Sequence, residues 1–244
     1  MPAVTFEPEF ATGFLRQIRV IVVAGVPVGV LVGGFGSRLA MLLLRATSDD
    51  SVRGVTSDDG FRIGRVTIAG TYTLLAIGAA VGILGAATYR LVAPRLIGPT
   101  WFRRSTVALA AGAVVGSMLL HADGVDFVLL TPTWLAIGSF VALPAIFGWC
   151  IAVAVDRVGA APIPGSAARR WGVPLGLVAA FPAAVIPTLA MVALGVAVAF
   201  TIGQAEAVTR FRAHAVTAFL VRAAWLGVAL SGASALATDI DAIY

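Results

Sequence analysis

The feature that most constrains this chain is the length of its apolar stretches. The hydrocarbon core of a bilayer is about 30 Å thick, so a helix that crosses it needs roughly 20 apolar residues. Six stretches are candidates, at residues 18–44, 66–88, 105–120, 132–155, 173–202 and 215–236. They predict an all-α fold, a polytopic transmembrane bundle of about six helices that forms a single domain over residues 1–244.

The composition supports a membrane location. Even without glycine, hydrophobic residues make up 59% of the 244 residues, whereas soluble domains average roughly 45–50% with glycine included. Charged residues make up 12%, too few to cover a folded surface in water. This composition argues against a soluble enzyme and predicts a multi-pass protein of the plasma membrane, with the lipid bilayer as its first partner.

Arginine supplies all 17 basic side chains, and the formal net charge is +5. The bias towards Arg, Ala, Gly and Val is typical of GC-rich coding, so the charge predicts no nucleic-acid partner. In a membrane protein, arginines in short loops mark the cytoplasmic side. The loops after the second and fourth spans are rich in arginine and the loop after the third has none. This alternation predicts that the N-terminus and the C-terminus are both cytoplasmic. The loop after the first span is an exception, because it carries four arginines and faces outwards in this topology. Glu7 and Glu9 also argue against a cleavable signal peptide, so the first span is expected to be retained.

The loop between the first and second spans repeats a Thr-Ser-Asp-Asp motif at residues 47–50 and 56–59. The second copy continues into Gly60, and an Asp-Asp-Gly turn between alternating residues favours a β-hairpin. We therefore expect a short ordered loop at residues 45–65. The alternative is that Asp49, Asp50, Asp58 and Asp59 bind a divalent cation such as Ca²⁺. Their spacing is not that of an EF-hand, and four nearby arginines compete for the carboxylates, so no metal site is predicted.

Glycines in the first span follow helical spacing. Residues 33–38, Gly-Gly-Phe-Gly-Ser-Arg, have the composition of a phosphate-binding loop, but no strand precedes them and no lysine follows. Gly25, Gly29 and Gly33 recur every four residues, which favours a close helix–helix contact instead. Because an arginine within an apolar helix is costly, we expect Arg38 either to contact lipid headgroups or to pair with an aspartate of the following loop, Asp58 or Asp59. Similar small-residue faces occur in three other spans, at Gly78 and Gly82, at Ala108, Gly112 and Gly116, and at Ala223, Gly227, Ser231 and Ala235.

The acidic residues, Asp156 among them, all fall outside the six spans. Ion-coupled carriers usually keep an ionisable group near the midplane, so this placement argues against a carboxylate-driven carrier.

A polar turn after the third span contains His121, Asp123 and Asp126. We expect an interfacial turn, and acid–base chemistry or metal binding is the weaker alternative. Cys150 is the single cysteine and predicts no intramolecular disulfide. No catalytic motif, cofactor site or metal site is predicted.

Four segments carry a resemblance to a known group of proteins. They are residues 33–41, with Ser37 and Arg38; residues 56–67, with Asp58, Asp59 and Gly60; residues 126–130; and residues 238–243. In these segments the chain resembles a family of actinobacterial multi-pass integral membrane proteins. The resemblance implies a membrane architecture in which the Gly-Ser-Arg and Asp-Asp-Gly segments form one structural unit, and it implies no particular activity.

Two functions remain open from the sequence. The first is a non-enzymatic structural or partner-binding component of the envelope, which forms a homo-oligomer or binds another membrane protein through its small-residue faces. The second is a transporter or channel for a small solute or ion, with a pathway between the first, fourth and fifth spans, which prolines are expected to kink. A cavity with polar lining would favour transport, and an exposed small-residue stripe would favour association. An intramembrane enzyme that uses the turn at His121 is a third and weaker alternative.

Overall fold

The computed structural model describes residues 8–49, 67–120, 130–203 and 215–243. These residues form helices and no strand, which confirms the all-α prediction for this part of the chain. The β-hairpin expected in the loop after the first span lies outside the described residues. The helices are α1 (Pro8–Val28), a π-helical segment (Gly29–Phe35), α2 (Gly36–Thr47), α3 (Ile68–Val92), α4 (Thr100–Leu119), α5 (Thr133–Ala160), α6 (Ala167–Ala180), α7 (Pro182–Gly203) and α8 (Ala215–Ile243).

Four of the described helical stretches are long and apolar enough to cross a membrane. They are Thr12–Thr47, Ile68–Arg95, Thr133–Ala160 and Ala218–Ile243. They correspond to the first, second, fourth and sixth predicted spans, so the chain is compatible with a membrane protein. The third predicted span is α4, a helix of 20 residues that carries Arg103 and Arg104 in its first turns. Four of the six predicted spans are therefore confirmed as helices long and apolar enough to cross a membrane, and the bundle of six spans stays a prediction.

The fifth predicted span is two helices rather than one. Helix α6 ends at Ala180 and α7 begins at Pro182. Proline has no backbone N–H and disfavours helical backbone at the residue before it, so a helix commonly ends at this point. Other prolines, such as Pro144, remain inside their helices. In the first span, the helix changes to π-helical geometry at Gly29, two residues after Pro27.

Helix α1 is central, and its close partner is α3. Val20, Ile21 and Val22 of α1 are almost completely buried. The two helices run antiparallel and meet backbone to backbone: a Cβ placed on Gly25 would lie 2.5 Å from the carbonyl oxygen of Gly82. One helical turn further along, Gly29 faces Gly78 in the same way. The close helix–helix contact predicted for Gly25 and Gly29 is thus present, and the structure shows that its partner is the second span.

One end of the bundle, called here the arginine end, is joined by arginine side chains. Their hydrogen bonds connect the start of α1 to the ends of α3 and α5, and the early part of α8 to the segment after α3. The donor–acceptor pairs are Arg16 Nη2 to Gly159 O (3.2 Å), Arg90 Nη2 to Gln17 Oε1 (2.7 Å) and Arg222 Nε to Arg95 O (2.7 Å).

At the opposite end, called the far end, a second apolar cluster is formed by Leu44, Leu120, Leu130, Ala136 and Ile137. Leu236, Ile240 and Ile243 of α8 pack against this cluster. Helix α8 therefore runs from the arginine end to the far end, and its last residues lie opposite the start of α1.

The start of α1 and the end of α8 lie at opposite ends of the described helices, whereas the sequence-based topology expected both termini on one side of the membrane. The side of the membrane that each terminus faces stays a prediction. Helix α6 begins at the arginine end, where Arg19 Nε donates to Arg170 O (3.3 Å). It ends at the far end, where Tyr72 Oη donates to Ala180 O (3.2 Å). Helix α8 begins at the arginine end, whereas α6 ends at the far end. Helix α7 is an additional helical segment between α6 and α8, and the sequence-based prediction of one continuous fifth span did not include it.

Candidate functional site: a cavity between α3 and α4

A cavity of about 640 Å³ lies between α3 and α4. These two helices make little direct contact with each other, and both pack on α5, which forms the floor of the cavity. Helix α2 closes the cavity at the far end, and Trp225 and Val228 of α8 contribute near the arginine end. The cavity exists because α3 and α4 are held apart on a common support.

The walls of the cavity are apolar and follow helical spacing. Helix α3 presents Ile77, Val81 and Leu84, which are about half exposed, at intervals of three and four residues. This spacing places them on one face of the helix. Helix α4 presents a matching row that includes Val107, Ala111 and Val115. The half-exposed side chains of α3 show that the cavity opens sideways, on the flank of the bundle rather than only at its ends.

The far end of the cavity is polar and contains two residues singled out from the sequence. Ser37, Arg38 and Arg45 of α2 all line it, and Nε of Arg38 is buried. The Oγ of Ser37 donates to the carbonyl oxygen of Gly33, and Nη1 of Arg45 donates to Ser48 O (3.5 Å). The structure thus brings Ser37 and Arg38 together at the cavity.

The other candidate site residues fall outside the described part of the chain. This holds for Asp58, Asp59 and Gly60, so the pairing of Arg38 with the Asp-Asp-Gly segment stays a prediction. It holds equally for the turn at His121, Asp123 and Asp126.

The cavity's end nearest the arginine end is formed by a polar network that links three helices. Tyr89 of α3 lines the cavity, and its Oη donates to Oδ1 of Asp156 on α5 (3.0 Å). Arg104 of α4 donates to Oδ2 of the same carboxylate from Nε (3.0 Å) and Nη2 (2.9 Å). The side chains of Arg104 and Asp156 are 24% and 31% exposed. The network therefore ties both cavity walls to the floor.

This network corrects the sequence-based placement of Asp156. The fourth span was expected to end at residue 155, whereas α5 continues to Ala160. Asp156 is therefore a helical residue with two side-chain partners from other helices. The next proline after Asp156 is Pro162, so no proline ends the helix at residue 155, a signal that a hydropathy boundary ignores.

Within the described residues, no group of three or more His, Cys, Asp and Glu side chains is placed to hold a metal ion. No family model, curated protein or solved structure matches this chain. The fold and the cavity define a helical protein compatible with a membrane, whose main internal feature is an apolar cavity with polar groups at both ends.

Proposed function

We propose that this chain is a non-enzymatic integral membrane protein that binds an apolar or amphipathic small molecule in the cavity between α3 and α4. The observation that carries the proposal is the cavity itself. Its volume of about 640 Å³ falls within the range of roughly 300–1,000 Å³ that is typical of ligand pockets, which are mostly apolar with a few polar groups that orient the ligand.

The position of the cavity favours entry from the lipid phase. On its floor, the lining residues of α5 extend from Ser139 to Ile151, a rise of about 18 Å along the helix. This covers more than half of a hydrocarbon core about 30 Å thick. Because α3 and α4 are separated along this length, a membrane-dissolved molecule reaches the cavity without crossing an aqueous surface.

The lining favours an apolar or amphipathic ligand over a cation. Ions in membrane proteins are held by carboxylates, carbonyl groups or charged rings. The described residues that line the cavity include no acidic side chain, and their polar members are concentrated towards the two ends. The proposal therefore refines the transporter alternative: the ligand site lies between α3, α4 and α5, and the ligand is membrane-soluble.

We further propose the orientation of the chain in the membrane. Positively charged loops favour the cytoplasmic side, and arginines from α1, α3 and α8 make contacts at the arginine end. This supports a cytoplasmic arginine end and therefore a cytoplasmic start of α1. The far end, with the last residues of α8, would then face outwards.

Association with a partner remains a second proposal, supported by one face of α8. Ala223, Gly227, Ser231 and Ala235 are exposed, and a Cβ on Gly227 would meet nothing within 4 Å. Small residues at this spacing allow close approach of another transmembrane helix. Oxidative cross-linking of Gly227→Cys in membranes, in a Cys150→Ala background, tests self-association. A cross-linked dimer that Leu226→Cys does not give supports it, and equal cross-linking of the two variants contradicts it.

The proposed ligand binding is tested by filling the cavity. Val115 lines it, whereas Leu109 on the same helix does not and is 71% exposed. The variants Val115→Phe and Leu109→Phe therefore introduce the same side chain inside and outside the cavity. Native mass spectrometry of gently solubilised protein should show a retained small molecule in the wild type and in Leu109→Phe, and much less in Val115→Phe. Equal retention in the two variants would contradict the proposal.

A further inference from the structure

The charged residues on the cavity wall share one sign and one helix face. Among the described lining residues, the charged ones are Arg38 and Arg45. They are seven residues apart on α2, so they lie on the same side of that helix, two turns from each other. Ser37, beside Arg38, also lines the cavity. The cavity therefore has a cationic far end and a long apolar remainder.

We infer that the ligand is an anionic lipid of the bilayer, with its phosphate at Ser37, Arg38 and Arg45 and an acyl chain along the apolar walls towards Tyr89. This inference rests on the proposed function and names its ligand class. A guanidinium presents planar N–H donors that match phosphate oxygens, and such charge-assisted hydrogen bonds are strong.

The depth of the two arginines fits a headgroup that enters from the far end. Arg45 lies two residues before α2 ends at Thr47, and Leu44 packs in the far-end cluster. Arg38 is seven residues earlier, about 10 Å deeper along the helix. The apolar stem of an arginine allows its guanidinium group to reach towards the membrane interface, and the inference places both guanidinium groups at the headgroup of the bound lipid.

The two arginines already have contacts within the protein, such as the bond from Arg45 to Ser48 O. Each guanidinium has several N–H donors in a fixed planar arrangement, so binding an anion does not require these contacts to break. The phosphate oxygens accept from further N–H donors of the two guanidinium groups, and the existing hydrogen bonds are kept.

The apolar walls distinguish a lipid from a free anion. Inorganic phosphate would occupy only the far end and would leave the rows of Ile77, Val81 and Leu84 without a ligand surface. One acyl chain of a phospholipid covers these side chains. Because α3 and α4 are separated, the second acyl chain can extend through the gap into the bilayer. The shape and the charge of the cavity together select an anionic amphiphile.

The test is lipid binding by native mass spectrometry of the purified full chain, with phosphatidylglycerol and phosphatidylcholine of identical acyl chains added separately. Because hydrogen bonds to a charged group contribute enough for a tenfold change in affinity or more, we expect phosphatidylglycerol to bind at least about tenfold more tightly. Arg45→Gln and Arg38→Gln should each reduce this preference. Arg95→Gln, at the arginine end, should keep it. Arg45 lies near the end of α2, so its variant gives a result if Arg38→Gln fails to fold.

Three outcomes would overturn the inference in distinguishable ways. Equal binding of both lipids that Val115→Phe still abolishes would refute the headgroup assignment and leave the cavity as the site. Lipid binding that Val115→Phe does not change would refute the proposed function as well. Full displacement of phosphatidylglycerol by inorganic phosphate would show that the far end recognises a free anion and not a lipid.

Discussion

Substitution of Gly25 by alanine tests the backbone contact between α1 and α3. The new Cβ would lie 2.5 Å from the carbonyl oxygen of Gly82 and 2.8 Å from its carbonyl carbon. An ordinary contact begins at 3.4 Å, so the two helices must separate by about 0.9 Å, because backbone atoms cannot rotate away as a side chain does. Overpacking of this kind typically costs about 1–3 kcal/mol.

The matched control is Gly138→Ala, because a Cβ at Gly138 in α5 would meet nothing within 4 Å. Both variants gain helix propensity, about 1 kcal/mol relative to glycine, so the difference between them isolates the packing cost. For a chain of this size, 1 kcal/mol corresponds to about 2–4 °C in Tm.

The assay is thermal unfolding of the purified protein in detergent. Gly25→Ala should unfold about 2–12 °C below Gly138→Ala, given these conversions. Equal unfolding temperatures for the two variants would show that α1 and α3 do not meet at this contact, and the described packing of the first two spans would be refuted.

Two further predictions concern the polar network and the topology. Asp156→Ala should lower Tm more than Tyr89→Phe, because the first removes the acceptor shared by Tyr89 and Arg104 and the second removes one hydrogen bond worth about 1 kcal/mol. A smaller effect of Asp156→Ala would refute the network. Cysteines at Ser166, at the arginine end, and at Ala242, near the end of α8, in a Cys150→Ala background should react with a membrane-impermeant thiol reagent from opposite sides of the membrane. Labelling of both from one side would contradict the direction of α8.

The sequence predicted those parts of the fold that depend on local pattern. Helices follow from long apolar stretches, and a close helix contact at Gly25 and Gly29 follows from their four-residue spacing, because only small residues permit such close approach. Each of these features is encoded within a few helical turns. The partner glycines, Gly78 and Gly82, were not assigned to this contact from the sequence.

The features that the sequence did not predict depend on tertiary arrangement. Pro182 lies at the boundary between two helices, while Pro144 and Pro187 lie inside their helices, and the presence of a proline alone does not distinguish these cases. Asp156 looked like a loop residue, since its partners Tyr89 and Arg104 come from two other helices. The cavity itself arises from the separation of α3 and α4, which no single segment specifies.

The most direct test of the central claim is whether a bilayer lipid occupies the cavity. Trp225 lines the cavity, whereas Trp149 on α5 does not. Two variants that each keep one of these tryptophans, with the others changed to Phe, report on the two positions. In phosphatidylcholine bilayers with a small molar fraction of phosphatidylglycerol brominated on its acyl chains, Trp225 fluorescence should be quenched much more strongly than Trp149 fluorescence. Equal quenching at every molar fraction would contradict the presence of a bound anionic lipid between α3 and α4.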